Sequence, residues 1–149
     1  MARSALDRMR SSLDEVTSLM PGLPPRQARR APAGEWTAGE VMSHLADAEL
    51  VYGFRIRLIL TRERPPLTAF DQDAWVRRLA VADDPQSALA RWRALRQSHL
   101  RLLDSLSESE WRRAGVHDER GEMTVAEIAE TIAAHDEGHL TQIQAAARP

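Results

Sequence analysis

The chain of 149 residues contains no cysteine. That excludes disulfides, thiolate metal ligands and thiol nucleophiles supplied by the protein itself. Lysine is also missing, so all 20 basic residues are arginine. Arginine is the more committed former of ion pairs, but a bias this complete reflects genomic composition rather than mechanism. There is no excess of either charge. The formal net charge is -2 and the sequence pI about 6.2, which argues against a nucleic-acid or polyanion binder. No apolar run is long enough to span a membrane, because the best candidate, near Val51 to Ile59, is interrupted by Arg55 and Arg57. Met1-Ala2-Arg3-Ser4 leads straight into a charged amphipathic pattern and does not read as a signal peptide. The expected location is the cytoplasm. Repeats, low-complexity tracts and segments of convincing two-residue alternation are also lacking.

What is present is helical periodicity. Leu6, Met9, Leu13, Val16 and Met20 form a stripe that predicts a helix from about Ser4 to Met20, ended by Pro21, Gly22, Pro24 and Pro25. Thr37 and Glu40 form a capping box that opens a second helix reaching Thr61. Its inward face runs through Val41, His44, Leu45, Ala48, Val51, Tyr52, Arg55, Leu58 and Ile59. Arg62 to Phe70, with Pro65-Pro66, is expected to be an excursion, and Asp71 to Leu79 a short helix or turn. Asp84-Pro85 opens the third helix, with Asp as cap and Pro at the first helical position. Its predicted stripe is Ala88, Trp92, Leu95, His99, Leu102 or Leu103, and Leu106. Ser107 and Glu110 make a further box, and Arg113 to Glu122 is expected to be a polar connection over one end. A third box, Thr124 with Glu127, opens the last helix, which stops near Ala147. The expectation is an all-α protein, four long helices in one domain spanning residues 1–149.

The chemistry gathers on the last helix. Val125, Ile128, Ile132, His135, His139 and Ile143 recur at spacings of 3, 4, 3, 4 and 4, the period of one helix face. His135 and His139 therefore stand one turn apart, where two imidazoles can share one metal ion. His44 is the third candidate ligand. An antiparallel pairing of the second and last helices would bring the rings together, as would a parallel one with a stagger of about 10 Å. Three neutral imidazoles leave part of the ion's coordination open, the pattern of a catalytic site. Zinc, nickel, iron and manganese all suit such ligation.

Around these residues, Asp47 is one turn beyond His44 and can accept a bond from a ring nitrogen or take up a proton. Arg55, two turns further, can receive a carboxylate. His99 can line the pocket or cofactor site, with a hydrogen-bonded core histidine as the ordinary reading. His117, in a polar stretch, is assigned no role. Glu137 should face away from the histidines, and an Asp at position 136 argues against a metalloprotease helix. Trp36, Trp75, Trp92 and Trp111 read as packing residues.

Trp36-Thr37-Ala38-Gly39-Glu40-Val41-Met42-Ser43-His44-Leu45, Phe70-Asp71-Gln72-Asp73-Ala74-Trp75 and His135-Asp136-Glu137-Gly138-His139-Leu140-Thr141-Gln142-Ile143 together resemble the DinB/YfiT-like superfamily of metal-binding four-helix proteins. The resemblance implies an up-down-down-up bundle with a long crossover after the second helix, often as a homodimer. It places a divalent ion on His44, His135 and His139. Some relatives are transferases or isomerases that use a low-molecular-weight thiol. The function expected on this basis is a metal-dependent enzyme acting on a small-molecule substrate, specifically a thiol-using transferase. The alternative is a non-catalytic metal-binding or stress-related protein.

Overall fold

The computed structural model describes residues 2–147. Helix α1 spans Ala2–Leu19 and is followed by a 3-10 turn at Met20–Gly22 and a one-turn helix α2 at Pro25–Ala28. Helix α3 spans Ala38–Thr61, strand β1 Pro66–Leu67, and helix α4 Gln72–Leu79. Helix α5 spans Pro85–Asp104 and helix α6 Glu108–Trp111. Strands β2 (Ala114–His117) and β3 (Gly121–Thr124) precede helix α7 (Val125–Ala146). The long helices α1, α3, α5 and α7 form a four-helix-bundle core.

The helix starts follow local chemistry. At Thr37, Ser107 and Thr124 the hydroxyl accepts the backbone N–H three residues on, and the Glu at that position accepts the cap residue's own N–H. Each box satisfies two amides that a helix start otherwise leaves without partners. Asp84 caps α5 through the amides of Gln86 and Ser87, and Asp71 caps α4 through Ala74.

The expectation of a purely α-helical chain needs correcting. Residues 114–124 form a hairpin, and β1 joins it in a three-stranded sheet of order β1-β2-β3. β1 runs parallel to β2 (Leu67 beside His117), and β2 antiparallel to β3 (Gly115 beside Met123). The inward positions of β2 are Gly115 and His117, so the alternation carries no apolar residue that sequence patterning could detect. Gly115 is needed there. A Cβ would stand 2.8 Å from Leu67 Cγ and 2.9 Å from the Pro65 carbonyl oxygen. Gly121, at φ 74°, makes the turn back into β3. Arg113 ties the hairpin to the end of α3, donating to the carbonyls of Ile59 (2.9 Å) and Arg62 (2.8 Å).

Two apolar clusters fill the bundle. Met9, Ile56, Ile59, Leu103, Ile128 and Ile132 belong to one, and Val16, Met42, Leu45, Trp92 and Ile143 to the other. Along α3 and α5 the facing pairs Asp47–Arg91, Glu49–Arg96 and Gly53–His99 advance together. Along α3 and α7 the order reverses, with Tyr52 against His135 and His44 against His139. No helix among the described residues is long and apolar enough to cross a membrane.

Candidate metal centre

Because α3 and α7 run past each other in opposite senses, His44, near the start of one, reaches two rings in the later half of the other. The centroids lie 4.9 Å apart for His44 and His135, 4.8 Å for His44 and His139, and 4.5 Å for His135 and His139. One ligating atom from each comes within 4.8 Å of the others. His44 is fully buried, and the two α7 rings are half-buried at the edge of the apolar stripe.

Burial sets their charge. It lowers His44 to about 4, with His139 adding repulsion, and lowers His135 to about 3, with His139, His44 and Arg96 adding to it. His139 is lowered by burial against an opposing bond to Gln142. At neutral pH the three rings are uncharged, the form that ligates metals.

The donor set fits a divalent cation. His44 Nε2 and His135 Nε2 are 2.8 Å apart, near enough for the two rings to share one ion with His139. His139 Nδ1 donates to Gln142 Oε1 at 2.7 Å, which fixes the tautomer and leaves the Nε2 lone pair free. His44 Nδ1 is buried with no partner, so apart from the contact with His135 at Nε2 the ring is held by packing. Trp36 provides part of the packing, at 4.9 Å from His44 and stacked on His139 at 6.0 Å. It therefore borders the site as well as covering the start of α3. Trp36 and Gln142 also line a cleft of about 430 Å³ whose other walls include Gln27, Arg30 and Glu35.

The remaining expected residues are dispersed. Asp47 makes no bond to His44. It accepts from Arg91 at 3.1 Å, and that guanidinium also binds Asp83, the acceptor for Ser43 Oγ. Burial raises the Asp47 carboxyl despite the Arg91 charge. Arg55 is buried beside Tyr52 and donates to the Thr68 carbonyl at 2.6 Å. His99 is buried in the middle of the bundle, where its Nδ1 lies 2.7 Å from Glu49 Oε1. Gly53 makes room for it, since a Cβ at 53 would stand 2.0 Å from His99 Nε2. Glu137 points outward and pairs with Arg8.

The bundle also contains a charge network that sequence reasoning missed. Arg96, fully buried, binds Glu49 through Nε (2.9 Å) and Nη2 (2.6 Å), and Asp136 through Nη1 (2.6 Å) and Nη2 (3.2 Å). Burial works to raise the Glu49 carboxyl, but Arg96 and the bond with His99 outweigh it and hold it at about 2. Burial pushes Asp136 up to about 6 against the pull of Arg96. One guanidinium thus serves two carboxylates, and Asp136 ties the residue next to His135 into the core. On α5 the buried position is Arg96 rather than the predicted Leu95, which is only partly covered. The available signal was a single charge at core spacing on each of three apolar stripes: Ala46-Glu49-Gly53, Trp92-Arg96-His99 and Ile132-Asp136-Leu140.

Comparison with known proteins bears on what this centre does. The model of the DinB superfamily matches residues 5–143. Over 115 residues the chain is 29% identical to the "Putative metal-dependent hydrolase YfiT" of Bacillus subtilis, covering 74% of this chain and 65% of that protein. Over 117 residues it is 30% identical to a similarly named protein of Bacillus licheniformis, covering 75% and 65%. A protein of Oceanobacillus iheyensis with the same type of name is 29% identical over 113 residues, covering 76% and 65%. The chain thus spans only 65% of the length of these curated relatives. In fold, it superposes on the solved structure of Bacillus subtilis YfiT with a TM-score of 0.91 at 22% identity, covering 99% of this chain and 86% of that one. The four-helix bundle protein TT2238 gives 0.72 at 18%, covering 97% and 99%. These relatives correct the expectation of a thiol-using transferase, because each carries the name "Putative metal-dependent hydrolase".

Proposed function

Because the chain belongs to the DinB superfamily, we propose that it is a metal-dependent hydrolase of a small-molecule substrate, with His44, His135 and His139 as the ligands of one divalent ion. The observation that carries this reading is the convergence of three imidazoles from two helices within 4.8 Å. A bound ion of the zinc, nickel, iron or manganese kind supplies Lewis acidity and an activated nucleophile. The chain's own residues hold and shield that chemistry. Gln142 sets the His139 tautomer, Trp36 and Tyr52 pack on the rings, and the cleft beside Trp36 and Gln142 is where substrate enters. Asp47 and His99 take positioning roles, Asp47 through Arg91 and His99 through Glu49.

The bundle order in this reading is up-down-down-up, with residues 62–84 as the crossover. It is supported by facing pairs that advance together along α3 and α5 and in reverse along α3 and α7. A homodimer also belongs to it, with Leu50 and Phe54 (52% and 61% exposed, one turn apart on α3) as the apolar residues at the seam. The test is hydrolysis of a panel of nitrophenyl esters, amides and phosphoesters by metal-stripped protein to which Zn, Ni, Mn or Fe is returned. Turnover that requires the ion and disappears in His135→Ala supports the proposal. Metal-loaded protein that turns over none of the panel counts against it.

A further inference from the structure

On the side of the triad where Tyr52 lies, the sheet and the excursion after α3 line a smaller cavity of about 60 Å³, half open to solvent. Its polar lining is Tyr52, Arg55, Gln72, His117, Glu119 and Arg120, closed by the apolar surfaces of Phe70 and Met123. Arg55 is the unusual member. It is only 7% exposed, yet its one hydrogen bond among the described residues runs from Nη2 to the Thr68 carbonyl. Nε is buried with no acceptor, and Nη1 has none among the described residues. Buried guanidinium groups are ordinarily paired with a carboxylate, because an unpaired buried charge is costly. The other buried arginine of this protein, Arg96, has two such partners.

Among the described residues no carboxylate forms an ion pair with Arg55. Arg120 adds a second cation at the cavity and makes no ion pair among the described residues. Of the acids nearby, Asp118 uses both oxygens on the Ala69 amide, at 3.0 and 3.1 Å, and lies 3.2 Å from His117 Nδ1. Glu119 lines the cavity and forms no ion pair with Arg55 among the described residues. Burial disfavours the Arg55 cation and Arg120 adds repulsion, while Tyr52 and the Asp118 carboxylate offset part of that.

We propose that this cavity is a carboxylate-binding subsite, in which Arg55 and Arg120 take an anionic group of the substrate while another part of the same molecule lies at the histidine triad. Arg55 Nη1, which has no acceptor among the described residues, can donate to one oxygen of a carboxylate, and Arg120 supplies a second cation beside it. Tyr52 connects the two places. Its ring centroid lies 5.9 Å from that of His135 and 5.8 Å from Arg55 Cζ. This deepens the hydrolase reading by naming a substrate class, and rests on that reading only for what happens at the triad.

The subsite can be tested without turnover, using acetate as the probe and sodium chloride at equal ionic strength as the control. The full-length protein, stripped of metal, is titrated while the Arg55 Nε–H resonance and the thermal midpoint are followed. Acetate should shift the Arg55 signal saturably at about millimolar concentration and raise the thermal midpoint. Arg55→Gln should weaken binding at least tenfold, and Arg120→Ala several-fold. His139→Ala, outside the cavity, should bind acetate as the wild type does, so the subsite is scored even if no hydrolysis is ever found. An Arg55 resonance that acetate moves no more than chloride does overturns the proposal. So does tighter binding of inorganic phosphate than of acetate. If Arg55→Gln fails to fold, the wild-type titration alone decides the matter.

Discussion

Glu49→Gln probes the buried network that holds α3, α5 and α7 in register behind the triad. The glutamate is 1% exposed and receives three bonds, two from Arg96 and one from His99. Glutamine keeps the shape, and its carboxamide oxygen can still face Arg96 Nε and His99 Nδ1. Its NH2 group then confronts Arg96 Nη2, donor against donor, at a position where the native contact is 2.6 Å. Removing one charged partner from a buried cluster costs about 3–5 kcal/mol. Proton affinity gives a similar figure independently. A carboxyl held at about 2 rather than its ordinary 4.5 is worth about 3 kcal/mol at neutral pH. At about 2–4 °C per kcal/mol, the melting temperature should fall by roughly 10 °C. The sign of the pH dependence follows. The folded-state pKa is depressed, so this stabilisation is fully present above about 4.5 and is lost as pH falls towards 2. Urea unfolding of both proteins from pH 7 to pH 2.5 reads both effects. The variant should be weaker at pH 7 and the gap should close with acid. A loss below about 1 kcal/mol at pH 7, or two curves that stay parallel, would refute the reasoning.

Two further substitutions test particular contacts. Gly53 and Gly138 both lie inside long helices, where glycine ordinarily costs about 1 kcal/mol relative to alanine. Gly138→Ala meets nothing within 4 Å and should stabilise by about that amount. Gly53→Ala must displace His99 from Glu49 and should destabilise by about 3 kcal/mol. Paired denaturant melts check the opposite signs. Gln142→Ala removes the group that sets the His139 tautomer. It should weaken divalent-ion affinity about 10–100-fold with little change in stability, as read by competition with a fluorescent chelator.

The parts of this molecule that the sequence made legible are those written in local spacing. Three capping boxes and the Asp84-Pro85 start place α3, α5, α6 and α7 within a residue or so of where they occur. The 3-and-4 spacing around His135 and His139 puts both rings on one side of α7. Spacing could not settle whether His44 would arrive, because that depends on the relative direction of α3 and α7. The resemblance to a known family supplied that expectation. The hairpin stayed hidden because its inward positions are a glycine and a histidine, with no apolar alternation to read. For the same reason His117 looked like a loop residue, although β2 buries it to 5%. The Glu49–Arg96–Asp136 network escaped because a charge within an apolar stripe is easily read as a surface residue slightly out of phase. Its meaning emerges only when three helices are seen to bring opposite charges to one level.

The claim on which the functional reading depends is that the three imidazoles hold an ion together. Elemental analysis of protein purified without chelator, then supplied with a divalent metal and desalted, tests it directly. The expected result is one ion per chain in the wild type and near zero in His44→Ala, with the helical circular dichroism of the two proteins unchanged. A folded wild type that retains no divalent metal, or a His44→Ala variant that retains a full equivalent, would contradict it.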